Sequence, residues 1–209
     1  MSTGGSEARG SGLELGVLLY LYLSKGYVGR ARLAEELEVG EGTVRGVLKR
    51  LSELGFIERA RAGVRLSRKG VAAVEDFLSE RLVSKLYVEP VKELEGGLAI
   101  VAVLSRCRNP GAAVLKIRDA AVRGGAAGAV IAVSEGGVLR LPPGGEDMCV
   151  YLKEVCGRLA YLRARRGAAV VMVFGERVGR LVRGLLEVLR SPHYELMIAR
   201  TTSGSSSIE

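Results

Sequence analysis

Residues 39–57 read VGEGTVRGVLKRLSELGFI. Val44, Val47, Leu48, Leu51 and Leu54 recur at helical spacing and make one apolar stripe. The opposite face carries Gly42, Arg45, Gly46, Lys49, Arg50 and Glu53. Gly40 can cap the helix at its start, and Gly55 stands where a left-handed residue ends one. Such a helix packs one side on protein and turns cations with little bulk outward. That outward face suits a DNA major groove, where Arg and Lys reach guanine edges and phosphates. A plain solvated helix has the same two faces, so its neighbours decide.

Upstream, residues 32–37 form a short helix with Leu33, Ala34 and Leu37 apolar. Glu38-Val39-Gly40 joins it to the next helix, a connection of helix-turn-helix length. Downstream, residues 56–61 and 64–67 are short alternating strands around Ala62-Gly63. The order is helix, turn, helix, then a two-stranded wing. Between Gly42 and Lys69 stand eight cations, Arg45, Lys49, Arg50, Arg59, Arg61, Arg65, Arg68 and Lys69. Only Glu53 and Glu58 oppose them, so this stretch carries +6 of a net charge of +8. A polyanion-binding face requires such focusing. A membrane surface would attract it too, but a basic amphipathic anchor with exposed aromatics is missing.

The stretch LAEELEVGEGTVRGVLKRLSELGFIERARAGVRLSRKG resembles the winged helix-turn-helix of archaeal and bacterial transcription regulators, including the multiple-antibiotic-resistance type. The likeness covers residues 12–82 and implies a recognition helix at 41–54 and a wing at 56–67. On that basis the expected DNA contacts are Gly42, Thr43, Arg45, Lys49, Arg50, Arg59, Arg61, Arg65, Arg68 and Lys69. Gly40 replaces the turn Ser common in the family, and Gly46 sits inside the helix at a cost of ~1 kcal/mol relative to Ala.

At 209 residues and 48% hydrophobic, the chain can bury a second core beyond the winged helix. It has no uninterrupted apolar run long enough for a membrane helix, and its start lacks the order of a signal peptide. A cytoplasmic location is expected. Cys107, Cys149 and Cys156 are too few and badly spaced for a disulfide framework, and His193 is the only histidine. They read as three buried small hydrophobes, with no metal or cofactor expected. Glutamine is absent, Asn109 is the lone asparagine, and 24 of 31 cations are arginine. Scarce amides with many ion-pair formers fit a heat-adapted protein, although a G+C-rich genome gives the same arginine bias.

The chain divides into a flexible tail (1–11), the winged helix (12–86), a linker (87–97), an α+β domain (98–199) and a second tail (200–209). Residues 13–24 are apolar nearly all round, so that helix is either wholly covered or shared with a second subunit or the C-terminal domain. Residues 70–86 read as one amphipathic helix, capped by Ser67. Beyond the linker come a strand (98–104), a helix opened by Asn109-Pro110-Gly111 and reaching Arg123, and a strand (129–133). A turn at Glu135-Gly136-Gly137 leads to the strand 138–141, then a long helix (146–166), a strand (168–174) and a helix (177–190). This βαββαβ order predicts an α+β fold with a ferredoxin-like antiparallel sheet and helices on one face; a mixed sheet with parallel neighbours is the alternative. With a winged helix ahead of KIRDAAVRGGAAGAV and VLRLPPG, the arrangement is similar to an archaeal family with an uncharacterised C-terminal domain. That likeness implies a domain boundary but no ligand.

Gly124-Gly125-Ala126-Ala127-Gly128 follows a helix and precedes a strand, the reverse of a phosphate cradle, so it reads as a tight turn. Arg106, Arg108, Asn109, Arg118 and Asp119 could hold a small anionic effector, or Asp119 and Arg123 could simply pair on the surface. Arg163, Arg165, Arg166, Arg177, Arg180 and Arg183 form a second basic zone whose default reading is solvation. No nucleophile, base and orienter come together, so the chain is not read as an enzyme. The expectation is a homodimeric transcriptional regulator of double-stranded DNA whose C-terminal domain senses a small anion, dimerises, or does both. The alternative is a winged helix used for protein assembly or RNA binding.

Overall fold

The computed structural model describes residues 12–108, 111 and 113–198; the expected tails 1–11 and 200–209, and Asn109, lie outside them. The first part runs α1 (Gly12–Ser24), α2 (Arg30–Leu37), α3 (Glu41–Glu53), the hairpin β1 (Ile57–Ala60) and β2 (Gly63–Leu66), and α4 (Arg68–Glu80). Helix, turn, helix and hairpin therefore follow one another as the sequence predicts. Gly40 caps α3 in extended conformation, and the backbone of Gly55 turns through φ +76° after its end. Val44, Val47, Leu48 and Leu51 are buried. Ser67 caps α4, its hydroxyl accepting from the Gly70 amide at 3.1 Å and donating to Gly55 O at 2.6 Å.

Eight consecutive residues of α1, Glu14 to Leu21, are buried. Helices α2, α3 and α4 cover one part of it, and α7 (Val178–Arg190) of the C-terminal part covers another. The excess apolar surface is thus consumed within the chain. One core cluster runs continuously from Leu19, Leu33 and Leu51 to Leu185 and Leu189.

The C-terminal part is built on a six-stranded antiparallel sheet in the order β3-β4-β8-β5-β6-β7. Its strands are β3 (Val83–Pro90), β4 (Leu98–Leu104), β5 (Gly128–Glu135), β6 (Val138–Leu141), β7 (Glu146–Asp147) and β8 (Ala169–Gly175). The α+β class holds. Strands β4 and β5, joined through α5 (Val114–Arg123), are split by one inserted strand. In a ferredoxin-like sheet that strand would be the third, β6; here it is the last, β8. Strand β8 offers seven residues, buried nearly throughout, whereas β6 has four and stays at the end of its glycine hairpin. The longer apolar strand takes the centre, where both faces are covered.

Five further expectations are corrected. The helix meant to reach Leu86 stops at Glu80, and 83–90 pairs with β4 as an edge strand. Gly96 and Gly97, read as part of a linker, turn the hairpin with φ +82° and +70°. Leu86 and Val88 pack on one face of the sheet and Tyr87 on the other, an alternation that a strand satisfies and a helix does not. The long helix 146–166 breaks into β7, a short turn, α6 (Lys153–Arg158) and another turn. Asp147 accepts from the Cys149 amide at 2.9 Å, ending the strand. This broken segment lays Met148, Leu152, Val155, Leu159 and Leu162 on the second sheet face, beneath Ala99, Val101 and Val103. Helices do not cover one face only; α5 and α7 cover the other face, through Ile100, Ala102 and Leu104. Finally, Cys149 and Cys156 are joined in a disulfide, with Arg163 Nη2 3.0 Å from each sulfur, while Cys107 is buried elsewhere, its Sγ 3.8 Å from Met197 O. Bending the segment closes the seven-residue gap that spacing alone did not select. Among the described residues no cluster could hold a metal ion, and no helix is long and apolar enough to cross a membrane.

Candidate nucleic-acid interface

All ten residues expected to contact DNA are exposed. Their local chemistry separates them. A Cβ added at Gly42 or Gly46 would meet open space, so both glycines keep the outer surface of α3 low. Thr43, Arg45 and Lys49 rise from it. Arg45 meets Arg59 of β1 and Arg30 at a hollow of about 190 Å³, floored by Leu48 and Val64. Arg30 was missed in the sequence because α2 begins two residues earlier than its apolar spacing shows; its guanidinium Nε lies 3.1 Å from Glu41 of α3. Among the described residues, Arg45, Arg59, Arg61 and Arg68 make no ion pair.

Of the remaining cations, Arg50, Arg65 and Lys69 are committed within the chain. Arg50 Nη1 lies 2.8 Å from the buried Glu14 carboxylate and ties α3 to α1. Arg65 donates to Glu58, its cross-strand partner, at 2.8 and 2.9 Å and stands over the Tyr27 ring. Glu58 holds the Arg65 guanidinium above its ordinary pKa. Lys69 donates to Leu54 O at 2.9 Å, satisfying the C-terminus of α3, and lies over Phe56. Lys49 is 3.9 Å from Glu53 and largely exposed. The hairpin itself is pinned by a bridge between Val28 and Val64, and a Cβ at Gly63 would meet the Val28 backbone.

The second basic zone is not uniformly solvated. Three arginines of α7 and its cap clamp the turn that precedes α3. Arg177 Nη2 donates to Glu35 O at 3.0 Å and lies 3.3 Å from its carboxylate. Arg180 Nε donates to Glu38 at 2.7 Å, and Arg183 donates to the other oxygen of the same carboxylate. The Gly179 amide donates to Glu36 at 3.1 Å, and any Cβ there would strike the Glu36 backbone. Hydrogen bonds from Arg180, then Arg183, hold the Glu38 carboxyl below the usual carboxylate range. Glu38 also takes left-handed φ and caps α2. The sequence shows opposite charges in 35–38 and 177–183, but it gives no sign that the two meet.

Arg106, Arg118 and Asp119 are exposed, and Arg108 is half-buried with its amide bonded to Met197 O. No ion pair joins these four among the described residues, nor does Asp119 pair with Arg123. Asn109, the fifth residue of the expected set, lies outside the described residues.

Residues 13–72 match the family model described as PH0730-like, N-terminal domain, and residues 96–188 match the domain of unknown function DUF4443. Among solved structures, the fold is similar to that of hypothetical protein PH0730 from Pyrococcus horikoshii OT3. The TM-score is 0.65 at 24% identity, covering 87% of this chain and 96% of that one. No curated protein matches. The likeness places the fold with an archaeal protein; at this identity it concerns architecture.

Proposed function

We propose that this chain is a sequence-specific, double-stranded DNA-binding transcriptional regulator. The observation that carries the reading is the low, cationic outer face of α3, with Arg45 beside Arg30 and Arg59 at the junction with the hairpin. In this reading α3 enters the major groove, and the hairpin places Arg59 and Arg61 along the backbone or in the minor groove. Arg45 contacts a base, with Lys49 divided between base and phosphate. Readout favours guanine, since no Asn or Gln stands on α3 to pair bidentately with adenine. Arg50, Arg65 and Lys69 support the interface instead of reading it.

The regulator works as a homodimer on a two-fold symmetric site in the cytoplasm, without enzymatic activity. Helix α1 is buried inside the chain and does not supply the dimer contact. The exposed Leu115 and Val122 of α5, seven residues apart on one face, suit it better. The test is a binding titration on fragments upstream of the protein's own gene cluster. Charge reversal at Arg45 and Lys49, both to Glu, abolishes binding if α3 reads DNA. If the winged helix serves protein assembly, the same variant leaves a partner's binding largely intact.

A further inference from the structure

Cys149 and Cys156 share one bond but sit in different surroundings. Cys149 is half-buried and flanked by the exposed Val150 and Tyr151, whereas Cys156 is 2% exposed. A thiolate arriving from solvent therefore meets the Cys149 sulfur first, and Cys156 is the sulfur that leaves. Exchange is faster where the leaving sulfur carries its negative charge more easily. The Arg163 guanidinium supplies that help, its Nη2 lying 3.0 Å from each sulfur.

The backbone around this guanidinium is fixed to the sheet. Ser134, buried near the end of β5, donates its hydroxyl to Arg163 O at 3.1 Å. The Ser134 amide donates to Ala168 O at 2.8 Å, and its carbonyl accepts from the Gly167 amide at 3.0 Å. On the other side of the bridge, Asp147 accepts from the Cys149 amide at 2.9 Å. Among the described residues Arg163 makes no ion pair, so its charge is directed at the sulfurs.

We propose that the Cys149–Cys156 pair is a thiol–disulfide exchange site whose substrate is a thiol or dithiol, with Arg163 stabilising the departing thiolate. In the first step the donor thiolate bonds to Cys149 Sγ. The bond between the two cysteines breaks, and its electron pair stays on Cys156. A second donor thiolate then attacks the donor's own sulfur in the mixed disulfide and releases Cys149. The protein gains two electrons, the donor becomes a disulfide, and the protons given up by the donor thiols end on the cysteines. Opening the bridge loosens the segment whose Leu152 and Val155 cover the sheet. None of this depends on the regulator reading.

The test uses the full oxidised chain without denaturant, dithiothreitol as donor and iodoacetamide to mark released thiols. Cys149 and Cys156 become alkylated while the buried Cys107 does not, which separates opening of the bridge from unfolding. Arg163→Gln slows the release about tenfold through the poorer leaving sulfur. Arg163→Lys keeps a rate near the parent's, and Arg118→Gln, on α5, leaves it unchanged. Oxidised glutathione leaves one adduct on Cys149 in the Cys156→Ser chain and none on Cys156 in the Cys149→Ser chain. Alkylation of the pair only together with Cys107 would make the bridge a fixed cross-link and overturn the proposal. Release equally fast in the parent and in Arg163→Gln would overturn it too. Where Arg163→Gln fails to fold, the glutathione pattern decides, and a Cys156→Ser chain without an adduct would contradict the site.

Discussion

Arg45 and Arg50 stand on the same helix, five residues apart, yet they should fail differently when removed. Arg45 makes no ion pair among the described residues, so Arg45→Ala leaves stability within ~0.5 kcal/mol of the parent in urea unfolding. Its DNA affinity falls by ~1–3 kcal/mol and one base position relaxes, read by selection from a randomised site. A selected site made only of A·T pairs would contradict the role given to it. Arg50 is mostly exposed, but it reaches the buried Glu14 carboxylate. Arg50→Ala therefore costs about 1–2 kcal/mol of stability, discounted for solvent at the guanidinium. Helical spacing placed both arginines on one outward face, because it gives the angle at which a side chain departs. It cannot say where a long side chain ends, and the Glu14 contact is made by that length.

Elements with their own period were legible. The stripe of α3 from Val44 to Leu51, the hairpin and the Ser67 cap all follow from local pattern and appear, whereas Leu54, the last member expected in the stripe, is exposed. Segments shaped by distant partners were not legible. Residues 83–90 alternate weakly and follow a good helix, so the strand is visible only once β4 is there to pair with it. Residues 148–162 must cover a sheet face, and tertiary packing breaks what propensity alone would leave as one helix. The contact between α7 and the α2 turn is equally non-local, and two measurements address it. Gly179→Ala drives a methyl into the Glu36 backbone and should destabilise by about 1–3 kcal/mol, read as a lower melting temperature. An unchanged melt would mean that α7 does not press on α2 in solution. The second is acid unfolding. Glu38 has a depressed pKa in the folded chain, so its ion pairs stabilise fully above the ordinary value of 4.5. That contribution begins to fade below 4.5 and is gone once the pH has dropped through the lower folded value. Glu38→Gln should remove this part of the acid transition, and a superimposable profile would contradict the clamp.

At the scale of the whole molecule, α1 joins the two parts. It is buried by the helices around α3 on one side and by α7 on the other, and Tyr194 adds a second tie by donating to Arg81 O at 2.7 Å. The helix that reads DNA in our account is therefore fixed to the C-terminal sheet at its preceding turn. A ligand or a second subunit acting on that sheet can bias the reader without touching it, provided it favours one arrangement. The dimer proposed through α5 predicts that the Leu115→Arg, Val122→Arg chain is monomeric by light scattering, with its fold intact by circular dichroism. The measurement closest to the central claim is the salt dependence of binding to double-stranded DNA, followed by fluorescence anisotropy. A dimer making roughly ten phosphate contacts gives log K a slope near −9 against log salt, reduced when Arg59 or Arg61 is replaced by Ala. Affinity that is indifferent to salt, or equal in the parent and the Arg45→Glu, Lys49→Glu variant, would contradict it.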